Sequence, residues 1–190
     1  MSFINNIKES IGSFFLKQEA SKIKRERQMF SLAEAKTIGI ILDTSNAENF
    51  ELTKKYVVYL REMKKKVKVI GYFSVGEMPP LTYSKLEYDF FTWKELNWYH
   101  RPSNTFVKNF MNEDLDVLID LNLYDSFPLK YIATVCKAKF KIAKFAKENE
   151  PVYDLMIQTD ETKTFKYFLR QVDTYLGMIN NPHETKPDLS

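Results

Sequence analysis

The stretch "LDVLIDLNLYDSFPLKYIATVCKAKFKIAKF", residues 115–145, decides the fold. Leu115–Leu121 is apolar throughout except at Asp116 and Asp120. A run of that kind suits a strand covered on both faces, as in a parallel sheet. A polar turn, Asn122–Ser126, follows it. Phe127–Val135 then reads as a helix, with Ser126 as its cap and Pro128 in its first turn, where a missing N–H costs little. Lys139–Ala143 reads as a short second strand.

The same strand–helix–strand pattern extends outward. "TIGIIL" at Thr37–Leu42 predicts a strand, "NFELTKKYVVYLREMKKK" a helix with Lys64–Lys66 at its cationic end, and Val67–Phe73 a second strand. That unit requires a right-handed crossover. "SVGEMPPLTYSKLEY", with Gly76, Pro79 and Pro80, reads as loop. Asp89–Trp93 reads as a strand, "KELNWYHRPSN" as loop, and Phe106–Met111 as a short helix. A last strand is expected at Tyr153–Gln158 and a terminal helix at Thr162–Ile179. Ser2 to about Met29 reads as a helix, with Phe3, Ile4, Ile7, Ile11, Phe14 and Phe15 near one face.

The expected architecture is α/β: a Rossmann-like three-layer sandwich with a mostly parallel sheet, preceded by an N-terminal helical arm. The arm is assigned to residues 1–30, a single α/β domain to 31–180 and a polar tail to 181–190.

Composition narrows the function classes. The 190 residues, 44% hydrophobic and 28% charged, are those of an ordinary globule. A net charge of +3 permits an RNA or membrane partner and requires neither. Cys136 is the one cysteine, so no internal disulfide and no cysteine-rich zinc site can form. Its apolar surroundings predict a buried structural thiol. No run reaches the roughly 20 apolar residues of a membrane span. Lys8 and Glu9 interrupt the N-terminal apolar residues, so no signal peptide is read and the expected location is cytoplasmic.

Neither GxxxxGK[ST] nor GxGxxG occurs, and the first strand–helix turn, "LDTSNAENF", holds no glycine. A pyrophosphate has no close backbone to approach there, so no nucleotide cofactor of the familiar kind is expected, and no metal site. No GxSxG is present to carry a serine nucleophile.

Ligands of open α/β sheets sit beyond the carboxyl ends of the strands, where the strand order reverses. The candidates placed there are Asp43, Ser45 and Asn46 after the first strand, Ser74 after the second, and Asp120 and Asn122 in the opening stretch. His100 and Arg101, inside "NWYHRPSN", are candidates to meet a ring and an anion. The bland reading is that Asp, Asn and Ser cap helices and shape turns, and that aromatics pin a loop. A second set, Lys22, Lys24, Arg25, Arg27, Lys137, Lys139, Lys141 and Lys144, is basic. It reads as a phosphate-tracking surface or, for "KAKFKIAKF", as lysines guarding an edge strand.

"DLDVLIDLNLYDSFPLKYIATVCKAKFKIAKF" and "FTWKELNWYHRPSNTFVKNF" resemble a family of uncharacterised α/β proteins from the Bacteroidota, over about Ala35 to Ile179. The resemblance implies a fold and a cytoplasmic setting but no site. The opening stretch is also similar, over about 35 residues, to the N-terminal half of heptosyltransferase-type glycosyltransferases. Those enzymes use a glycine-bearing first turn and a second domain, and "DTSNAEN" departs from that turn.

Three functions follow as expectations. The first is a non-catalytic protein contacting RNA or the ribosome through its basic residues. The second is a glycosyltransferase-like or other small-ligand enzyme, complete or degenerate, built on strand-end carboxylates. The third is a homo-oligomeric scaffold assembled through the N-terminal helix.

Overall fold

The computed structural model describes residues 2–74, 88–160 and 162–179. The expected loop at 75–87 and the polar tail with His183 lie outside the described residues. The elements run α1 (Ser2–Ala20), β1 (Thr37–Asp43), α2 (Ala47–Glu62), β2 (Lys66–Phe73), β3 (Tyr88–Thr92), α3 (Thr105–Met111), β4 (Val117–Asp120), α4 (Phe127–Val135), β5 (Phe140–Lys144), β6 (Leu155–Ile157) and α5 (Phe165–Met178). The strands form one sheet in the order β3-β2-β1-β4-β5-β6, and each neighbouring pair is parallel. The chain steps outward from β1 to β3, then returns to the centre and steps outward again from β4 to β6. The order therefore reverses between β1 and β4, where Ile41 pairs with Asp120.

Alternation along β1 builds both cores. Ile38, Ile40 and Leu42 join Phe50, Val57 and Leu60 of α2 and Phe168, Val172 and Leu176 of α5 on one face. Ile41 joins Leu16 of α1, Phe110 of α3 and Leu129 and Ile132 of α4 on the other. Helices thus cover both faces of the sheet, which is why its strands read as continuous apolar runs. Gly39 opens the second face. A Cβ there would lie 2.6 Å from Leu115 Cδ1 and 2.8 Å from Phe110 Cζ, so only a glycine lets α3 pack this close to β1. Cys136 is buried, and burial pushes its thiol up.

Two expectations are corrected. The first helix does not run to Met29 but ends at Ala20. Good helix formers occupy the next residues, but tertiary contacts win there. The Gln28 N–H donates to Lys139 O at 3.2 Å, and Arg25 forks onto both oxygens of Asp154 at 2.6 Å. The basic segment is therefore a strap laid beside the start of β5.

The second correction concerns β5, which lies between β4 and β6 and is not an edge strand. Lysine alternation mimics an edge strand, but Lys141 is 2% exposed and its amine donates to Ala133 O and Thr134 O at the end of α4. It acts there as a helix C-terminal cation. The edge on this side is β6, three residues long, and a short edge limits pairing with other chains.

Candidate functional site at the carboxyl ends of the strands

The turn after β4 is held by its own first residues. Asn122 donates its backbone N–H (2.9 Å) and its Nδ2 (2.5 Å) to Asp120 Oδ1. The Tyr153 hydroxyl donates to Asp120 Oδ2 at 2.5 Å. Asn122 Oδ1 in turn accepts from the Asp43 N–H at 2.7 Å, which ties the end of β4 to the end of β1. Burial raises the Asp120 carboxyl above its ordinary value, against the pull of its Tyr153 and Asn122 donors. Burial, with Asp120 beside it, also lifts the Tyr153 hydroxyl far above its own. Tyr153 therefore stays a donor, and Asp120 has both oxygens occupied. The pair fixes the turn.

The ends of β1 and β2 are tied in the same manner. Asp43 Oδ1 accepts from the Ser45 N–H at 2.8 Å, an Asx turn. Ser45 Oγ lies 3.0 Å from Ser74 Oγ and accepts from the Ser74 N–H at 3.0 Å. Asn46 caps α2 by accepting from the Asn49 N–H at 3.0 Å. Ser126 holds the N-cap position of α4 but makes no side-chain capping bond, so its hydroxyl is not spent on the helix.

Three cavities meet over this rim, and Asp125 and Ser126 line all of them. One of about 230 Å³ sits at the strand-order reversal, lined by Asp43, Ser45, Asn46, Asn49, Asn122 and Tyr124. A second, of about 280 Å³, opens between β4 and β5 against Asp120, Lys130, Lys144 and Tyr153. The third, of about 510 Å³, lies beyond β2 and β3 and is lined by Tyr72, Trp93, Trp98, His100, Lys8 and Lys94. Trp93 and Trp98 are 57% and 59% exposed, and Tyr124 is 85% exposed between the first two cavities. Burial, with Asp43 adding to it, raises the Tyr72 hydroxyl, which therefore remains a donor.

His100 lines the third cavity from a left-handed turn, with φ 67°. Asn97 holds that turn, its Oδ1 accepting from the N–H groups of Tyr99 (3.1 Å) and Arg101 (2.9 Å). Arg101 is committed elsewhere. It pairs with Glu19 at 2.8 Å and lies 5.3 Å from the centre of the Tyr131 ring. Tyr131 donates its hydroxyl to Glu19, so this cluster clamps α1 onto α4.

The basic candidates divide. Arg25 is paired with Asp154, Lys139 with Asp114 and Asp116 at 3.2 Å, and Lys144 donates to Leu123 O at 3.1 Å. Lys141 is buried, as above. Lys22, Lys24, Arg27 and Lys137 remain exposed. Among the described residues, no group of three or more His, Cys, Asp or Glu side chains is placed to hold a metal ion, and no helix is long and apolar enough to cross a membrane.

Sequence reasoning missed Tyr153 and Tyr124. Tyr153 lies 33 residues from its partner, and no local pattern signals that pairing. Tyr124 carried a readable sign: an aromatic residue in a polar turn directly after a central strand.

A family of unknown function (DUF6913) matches residues 8–179. The chain belongs to that family. The match runs from within α1 to the end of α5, so the family includes most of the first helix as well as the sheet, beyond the Ala35–Ile179 of the sequence resemblance. Among curated proteins none matches the chain.

Proposed function

We propose that the protein binds a small sugar- or nucleotide-like molecule on the carboxyl rim of its sheet. The observation that carries this reading is the convergence of three cavities on the Asp125–Ser126 turn. The rim combines what such a ligand needs. Trp93 and Trp98 offer faces for a ring. Lys8 and Lys94 stand beside them for an anionic group. Asn49, Asn122, Asp125 and Ser126 supply donors and acceptors for hydroxyls. The reading is one of binding, in which the buried carboxyl of Asp120 holds the turn through Tyr153 and Asn122.

Thermal unfolding of the purified protein against a panel of nucleoside monophosphates and free hexoses tests this. A bound member stabilises the fold by about 2.7 kcal/mol at a hundredfold excess over its Kd. The Trp98→Ala variant retains its melting temperature and loses that response. A panel that leaves the melting temperature flat overturns the reading.

The second reading, contact with RNA or the ribosome, draws on a different region. Lys22, Lys24, Arg27 and Lys137 are exposed on and beside the strap at the amino ends of the strands. It requires an RNA affinity that falls steeply with added salt and weakens in a Lys22→Gln/Lys24→Gln variant. An affinity indifferent to salt excludes it.

A further inference from the structure

At the opposite end of the sheet from the rim, a pocket of about 170 Å³ is lined by Arg25, Arg27, Thr134 and Lys141, with Ile23 and Val152 on its apolar side. Lys141 is sunk into the fold, and its amine donates to Ala133 O at 2.6 Å and Thr134 O at 3.3 Å. An ammonium carries three donors, and these carbonyls take two. Arg25 is locked onto Asp154. Arg27 is held loosely. Its Nε lies 3.6 Å from Asp154, one terminal nitrogen lies 3.4 Å from Pro151 O, and the side chain is 61% exposed at the mouth.

The local charge is unbalanced. Three cations face the pocket, and Asp154 is the carboxylate paired with two of them. Cys136 adds no anion, because burial keeps its thiol protonated. Burial is the first cause of a Lys141 amine pushed down to about 8; Arg25 and Arg27 lower it further, and Asp154 opposes them. Capping of α4 accounts for where Lys141 points. Capping does not involve Arg27, which Asp154 and Pro151 O hold loosely at the mouth of the same pocket.

We propose that this pocket binds a small oxyanion of the phosphate or sulfate class, held between the Arg27 guanidinium and the remaining Lys141 donor, with Arg25 supplying fixed positive charge behind them. Thr134 contributes shape, since its hydroxyl donates to Lys130 O at 2.7 Å. A water's share of liquid volume is roughly 30 Å³, so the pocket accepts a tetrahedral anion with part of its hydration. The anion is either free in solution or the phosphate of a polynucleotide, and Lys22 and Lys24 on the strap are exposed for the latter.

Titration of the full chain with inorganic phosphate and with sulfate, against chloride at constant ionic strength, tests the proposal by calorimetry. Saturable heat with phosphate or sulfate and none with chloride is expected. Arg27→Gln is exposed enough to fold normally and weakens phosphate binding by about tenfold, the loss of one hydrogen bond to a charged group. Lys22→Gln/Lys24→Gln lies off the pocket and leaves phosphate affinity unchanged. Equal responses to all three anions, an Arg27→Gln variant that binds as tightly as the wild type, or an equal loss in the Lys22/Lys24 variant each overturn it. Competition by a single-stranded RNA oligonucleotide then separates the sources. An RNA that displaces phosphate assigns the pocket to a polynucleotide, and one that does not assigns it to the free anion.

Discussion

The two ends of the sheet are built from similar residues and put them to different use. At the amino end, charges close on one another. Asp116, just before β4, accepts from the N–H groups of Lys36 (2.8 Å) and Thr37 (3.1 Å) at the start of β1, and from Lys139 before β5. Asp154, just before β6, takes both arms of Arg25 and the Lys141 N–H at 2.8 Å. Each buried carboxylate is thereby paired and hydrogen-bonded, the condition under which burying charge is tolerable. At the carboxyl end the bonds run among short side chains and strand ends, within a turn from Asn122 to Asp120 and from Ser45 to Asp43, and across strands from Asp43 to Asn122 and from Ser74 to Ser45. These fix loops without filling the space above them. Outside the Arg27 pocket the amino end therefore carries stability, and the carboxyl end holds a prepared surface.

The strongest way to break this contrast is to remove one charge from the amino end. Asp154→Ala leaves the Lys141 N–H without its acceptor and strips Arg25 of its carboxylate, with Ala138 O at 3.2 Å still accepting from it. The expected loss is about 3–5 kcal/mol, read by urea denaturation. A loss within the ordinary surface range would mean that the amino end is no more structural than the rim.

A second effect is set by pH. The Lys141 amine titrates near 8 in the folded chain and near 10.5 when released. Between these values the unfolded chain binds the extra proton, so stability rises with pH from about 8 toward 10. Asp116 has the opposite window. Burial acts to raise its carboxyl, but the Lys36 and Thr37 N–H groups with Lys139 outweigh this and hold it below the ordinary value. Its contribution is complete at neutral pH and falls away in acid as the pH drops through the folded value. Denaturation of Lys141→Met from pH 7 to 10 loses the alkaline rise, and a rise that persists places its source elsewhere.

The smallest stability effect belongs to the rim. Tyr124→Ala removes an exposed ring between two cavities and changes stability by no more than about 0.5 kcal/mol, while ligand-induced stabilisation disappears. A large destabilisation would make the ring part of the scaffold.

These differences also explain what the sequence disclosed. The parallel sheet was legible because strands covered on both faces leave unbroken apolar runs, as in "TIGIIL" and "VLID". The boundaries of α4 were legible from Ser126 and Pro128. The strap was not, because its helix-forming residues give no sign of Asp154, 129 positions from Arg25. The interior place of β5 was equally hidden, since a lysine whose amine turns back to a helix end has the same sequence signature as one facing water. At the rim, Asp43, Asn46, Asp120 and Asn122 were identified by position, but the bond from Asp43 to Asn122 depends on strand order, which no local pattern contains. The aromatic cavity was legible as a cluster, "NWYHRPSN", yet Arg101 turned away to Glu19, a partner on α1.

The two tryptophans of the chain, Trp93 and Trp98, both line one carboxyl-end cavity, so tryptophan fluorescence reports that end alone. Titration with nucleoside monophosphates is the most direct measurement of whether the rim is the receiving surface. A saturable change in emission that inorganic phosphate does not reproduce, and that survives Arg27→Gln, is the predicted result. Emission that stays constant across the panel, or changes only in step with occupancy of the Arg27 pocket, contradicts it.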